Sequence, residues 1–69
     1  MIIKILYTKD EIGQSQANFI RNRYSYDLKL VEILLGSSVA DDDYMNSFSL
    51  EISDQNKNYM KKTYPELLI

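Results

Sequence analysis

An α/β (α+β) domain, with a small three-stranded sheet, an N-terminal βαβ unit and two to three helices, is the fold class this sequence predicts. Three observations predict it. Residues 2–7 form a short apolar run rich in β-branched side chains. Residues 8–24 then carry apolar side chains at helical spacing, and residues 26–35 form a second apolar run at the distance of a returning parallel strand. Strand, helix and strand in that order make a βαβ unit, whose crossover is right-handed in nearly all proteins.

Each element follows from its residues. Residues 2–7 are apolar on both faces, as a buried parallel strand is. Thr8 with Glu11 three residues on has capping-box spacing, so a helix is expected from there to about Arg23. Its apolar face is Ile12, Ala17, Phe19, Ile20 and Tyr24. Arg21 and Arg23 fall in its last turn, where cations complement the helix dipole, while Gly13 weakens its first turns. Residues 26–35, with Leu28, Leu30, Val31, Ile33 and Leu34, read as the second strand. Gly36, Ser37 and Ser38 end it with turn chemistry.

Residues 39–47 read as a short acidic helix or loop, with Ser38 and Asp41 repeating the capping spacing. Phe48, Leu50 and Ile52 alternate with Ser49, Glu51 and Ser53, the pattern of a half-wet strand over residues 47–53. Asp54 is expected to cap a last helix that runs to Tyr64 and stops at Pro65. Leu67, Leu68 and Ile69 form an apolar tail that has to dock somewhere, which itself points to a binding protein.

The composition narrows the function. Sixty-nine residues make a single domain, residues 1–69, with a modest core. Apolar residues at 45% and charged residues at 26% are those of a globular chain. Cysteine and histidine are both absent, which removes disulfides, thiolate and imidazole chemistry and the usual zinc ligands. No metal or other cofactor is expected, and no enzyme. A small core without covalent staples favours a homo-oligomer or a partner protein. The net charge of −2 argues against a nucleic-acid partner, because phosphate contacts need a basic surface. No run approaches a membrane span, and the N-terminus lacks the pattern of a signal peptide, so the cytoplasm is the expected address. Abundant Ile, Lys, Asn and Tyr fit an AT-rich coding sequence such as that of a phage or mobile element.

Residues 7–17, Tyr-Thr-Lys-Asp-Glu-Ile-Gly-Gln-Ser-Gln-Ala, resemble the start of glutaredoxin-like redoxins, which have the thioredoxin fold. In that family a strand ends in Tyr-Thr-Lys, two residues follow, and Cys-x-x-Cys opens the first helix. Tyr7, Thr8, Lys9, Gln14 and Ala17 fit the register. The two cysteine positions are Ile12 and Ser15, vestigial redoxin-site positions that cannot form the attacking thiolate. The match covers about half of the chain, and the family's cis-proline loop has no counterpart, since Pro65 is the only proline. The resemblance implies a redox-inactive domain that keeps a small-ligand or peptide groove near residues 12–15.

Two clusters stand out for binding. Asp41, Asp42 and Asp43 beside Tyr44 and Met45 suit a basic protein partner, with charge steering the encounter and Tyr and Met forming the contact. Read as structure alone, the aspartates are a solvated, dipole-favourable helix start. Consecutive carboxylates on a helix diverge by about 100°, so they do not converge on one ion. Six tyrosines are many for this length, and Tyr59 and Tyr64 on the last helix join the expected partner surface. Arg21, Arg23, Tyr24 and Tyr26 interleave base with ring but lack a wider basic field. The function expected is a non-catalytic protein-binding domain, an adaptor or inhibitor. The alternatives are the redoxin-like ligand groove and an acidic nucleic-acid mimic.

Overall fold

Ile3 and Ile5 point into the core while Ile2, Lys4 and Leu6 face out, so strand β1 (Ile2–Leu6) has one wet face and is not a buried parallel strand. The structure is a computed structural model that describes residues 1–43 and 46–68, with the backbone alone described for Asp42 and Asp43. Tyr44, Met45 and Ile69 lie outside the described residues.

After β1 the chain makes successive turns. Thr8 does meet Glu11: its amide donates to Oε1 at 2.9 Å and its hydroxyl at 2.7 Å. The pair closes a turn, however, with the Glu11 amide donating back to the Thr8 carbonyl at 3.0 Å. Gly13 takes a φ of 95°, outside the helical region. Helix α1 (Gln16–Arg23) therefore begins well after the expected start. Ser15 caps it, its hydroxyl accepting from the Asn18 amide at 3.2 Å.

The expected second strand is a helix, α2 (Leu28–Leu35). Its buried residues are Leu30, Ile33 and Leu34, three and four apart, which is one helical face. Asp27 caps it by accepting from the Leu30 amide at 3.3 Å. A ten-residue apolar run fits both periods, and the capping aspartate decides between them here. The βαβ unit of residues 2–35 is thus not formed, nor is the second strand that the redoxin resemblance implies.

The remaining strands come from the second half. The acidic segment is strand β2 (Ser38–Asp43), not a helix, and β3 (Ser47–Glu51) is the strand expected from its alternation. The sheet order is β1-β3-β2, with β3 antiparallel to both neighbours. Lys4, Ser49 and Asp41 fall in one cross-strand row, as do Ile2, Glu51 and Ser38; the register with β2 shifts between Val39 and Asp41. In helix α3 (Asp54–Thr63) the N-cap position belongs to Ser53, whose side chain makes no capping hydrogen bond, and Asp54 occupies the first turn. Pro65–Leu67 forms a 3-10 turn, and Leu68 pairs antiparallel with Ile3, so this part of the apolar tail docks along the outer edge of β1.

The result is a mixed α+β domain of three antiparallel strands and three α-helices among the described residues. Its core joins Ile3, Ile5, Phe48 and Leu50 of the sheet to Phe19, Ile20, Leu30, Leu34, Met60 and Tyr64 of the helical layer. Tyr7, Phe19 and Phe48 pack at its centre, with ring centroids 4.8–5.6 Å apart. On the opposite sheet face Ile2, Lys4, Leu6, Asp41 and Glu51 are exposed, around the buried Ser47 and Ser49. No helix among the described residues is long and apolar enough to cross a membrane.

Candidate partner-binding site

Two of the sequence-predicted residues come together at the start of α2. Tyr59 and Tyr64 donate their hydroxyls to one oxygen of Asp27, Oδ2, at 2.6 and 2.7 Å. The other oxygen, Oδ1, caps the helix through the Leu30 amide. The rings lie 6.3 Å apart, and the Lys29 ammonium sits over the Tyr59 ring at 4.6 Å. Hydrogen bonds from Tyr59 and Tyr64 hold the Asp27 carboxyl below its ordinary value of 3.8. The same bonds to Asp27 push both phenols above their ordinary 10.0, so at neutral pH each keeps the proton it donates.

Tyr26 and Leu28, on either side of Asp27, are 71% and 72% exposed, more than any other large hydrophobic side chain among the described residues. Tyr26 stacks obliquely on the buried Tyr24 at 6.3 Å. Asp27, fixed by three hydrogen bonds, sets the backbone that presents both. An Asp directly before an apolar run is an N-cap signal, so Asp27 was readable as a helix start. Its capture of two phenols 32 and 37 residues away was not, because that depends on how α3 lies against α2.

The acidic cluster is placed elsewhere. Asp41, Asp42 and Asp43 lie on β2, in register with Ser49, Phe48 and Ser47 at the start of β3, whereas α3 leaves from the end of β3. Asp41 is exposed on an edge strand, where charge discourages pairing with another sheet edge. Tyr44 and Met45 lie outside the described residues.

The redoxin positions have other occupations. Ile12 is exposed in the turns after β1, and the Ser15 hydroxyl is committed to capping α1. Among the described residues two clefts can be placed, and neither is lined by Ile12 or Ser15. One, of about 470 Å³, is polar and opens between the end of α2 and the start of α3, beside Glu32, Ser37, Glu51 and Gln55. The other, of about 180 Å³, runs between α1, α2 and β2 over Ala17, Ile20, Leu35 and Val39.

Arg23 holds the turns in place. Its guanidinium pairs with both oxygens of Glu11, donates to the Leu6 carbonyl at 2.9 Å, and lies 4.2 Å above the Phe19 ring. Burial works to raise the Glu11 carboxyl, but hydrogen bonds from Thr8 and Arg23 outweigh it and hold the group below its usual 4.5. With Arg23 engaged and Tyr24 buried, the array of bases and rings at residues 21–26 leaves only Arg21 and Tyr26 facing solvent.

No family model, curated protein or solved structure matches the chain.

Proposed function

We propose that this chain is a small, non-catalytic protein-binding domain, an adaptor or inhibitor, that engages its partner through Tyr26 and Leu28. The observation that carries the proposal is the exposure of these two side chains on either side of Asp27, whose carboxylate accepts three hydrogen bonds. A large apolar side chain standing clear of the surface gains the most by entering a pocket. The gain survives only if little ordering is left to do on binding, and the shared Asp27 carboxylate does that ordering in advance. The partner's complementary feature is an apolar pocket that receives Leu28 and one face of the Tyr26 ring. The net charge of −2 and the carboxylates of β2 favour a basic partner, whose approach they accelerate.

The test is affinity capture from cells that naturally produce the protein, run in parallel with wild type, Leu28→Asp and Tyr26→Ala. Both substitutions are at exposed positions, so folding is checked by circular dichroism and should persist. A protein retained stoichiometrically by wild type and lost from both variants supports the reading. The same protein retained equally by all three contradicts it.

A further inference from the structure

We infer that the uncovered sheet face is a homodimer interface, in which β1 of one copy lies over β2 of the other and Lys4 pairs with Asp41 between copies. The register carries the argument. On this face one row runs Lys4, Ser49, Asp41, so a cation stands on one outer strand and a carboxylate on the other, with a small residue between. Lys4 and Asp41 are both exposed, and neither side chain has an ion pair or hydrogen bond among the described residues. Half a turn about an axis running along β3 places β1 over β2 of the second copy. Each Lys4 then meets an Asp41, and the pair forms twice. The other in-plane axis, across the strands, stacks β1 on β1 and sets Lys4 against Lys4. The charge pattern therefore selects one isologous arrangement.

Packing supports the same arrangement. The central strand offers Ser47 and Ser49, only 1% and 7% exposed, sunk between the flanking strands. Small side chains at the centre let two sheets approach, and sheets pack face to face at about 10 Å, within reach of a lysine. Ile2 and Leu6 flank Lys4 on this face, and in the same packing they come over the Ser38 and Asp43 positions of the second copy, their row partners across β3. Glu51 faces its own symmetry mate in this packing, but the Met1 ammonium neutralises it at 3.1 Å. Tyr26 and Leu28 lie on α2 and its approach, in the helical layer on the other side of the sheet, so a dimer presents two partner sites.

Sedimentation of the full chain from micromolar to millimolar concentration tests this, with Lys4→Glu, Asp41→Lys, the double variant, and Lys61→Glu on exposed α3 as control. The expected result is a reversible dimer. Each single reversal should weaken it by about tenfold or more, and the double variant, which restores opposite charges across the interface, should return to within about threefold of wild type. Lys61→Glu should change little. Monomer at every concentration overturns the inference. So does a dimer indifferent to the single reversals, or one that both weaken and the double variant fails to restore.

Discussion

Tyr64 donates its phenolic hydrogen to Asp27 across 2.7 Å, joining the residue that ends α3 to the residue that begins α2, 37 positions earlier. Asp27 does two jobs with one carboxylate, capping a helix and gathering two tyrosines. Removing it should therefore cost more stability than removing either hydroxyl. Denaturant midpoints should fall in the order wild type, Tyr59→Phe or Tyr64→Phe, Asp27→Asn, Asp27→Ala. Asparagine keeps the cap but weakens the acceptor, while alanine removes both and leaves two phenols to seek water.

The same network sets a pH window. Asp27 is depressed in the folded state, so its contribution is present above the ordinary value of 3.8 and is lost as pH falls through the lowered folded value. Glu11 acts in the same direction. Tyr59 and Tyr64 are raised, so their contribution is complete below 10.0 and is lost as pH climbs through the higher folded values. Unfolding free energy measured against pH should form a plateau with one acid and one alkaline shoulder. In Asp27→Ala the alkaline shoulder should move toward the unperturbed tyrosine range.

The turns between β1 and α1 offer a sharper mutational contrast. Gly13 has φ of 95° with open space where a Cβ would stand, so Gly13→Ala should cost about 1–2 kcal/mol from backbone strain alone. Asparagine there should cost less. Ser15→Ala should cost about 1 kcal/mol by uncapping α1. By comparison Leu30→Ala, at a fully buried site, should cost about 2–5 kcal/mol. Chemical denaturation of the four variants checks the order.

Strand β2 should keep the monomer's edge soluble through its carboxylates. Replacing Asp41 to Asp43 by valine removes the charge and raises strand propensity, and turbidity on standing should rise. Replacement by lysine keeps the edge charged, and those solutions should stay clear.

How much of this was legible varies by segment. The alternation through Phe48, Leu50 and Ile52 defines β3 because a period of two has one reading. Residues 26–35 carry too many apolar side chains for period alone to decide, and the aspartate before them is the better guide. The Asp triplet looks like a helix start by composition. It is a strand because pairing with β3 outweighs the low β-propensity of aspartate. Parallel pairing of β1 was expected from its apolar content, yet Ile2 and Leu6 belong to its outer face. Tyr59 and Tyr64 stood out by type, whereas Tyr26 and Leu28 stand out only once α2 is known to be a helix with those residues at its exposed start.

The central claim is that partner contact lies above Asp27 and not on the sheet. Backbone amide shifts of the labelled protein, followed while the captured partner is added, address it most directly. The account predicts that the largest changes fall at residues 24–30 and 59–64, with β1 and β3 nearly still. Changes concentrated at residues 2–6 and 47–51 instead, with residues 24–30 unmoved, would contradict it.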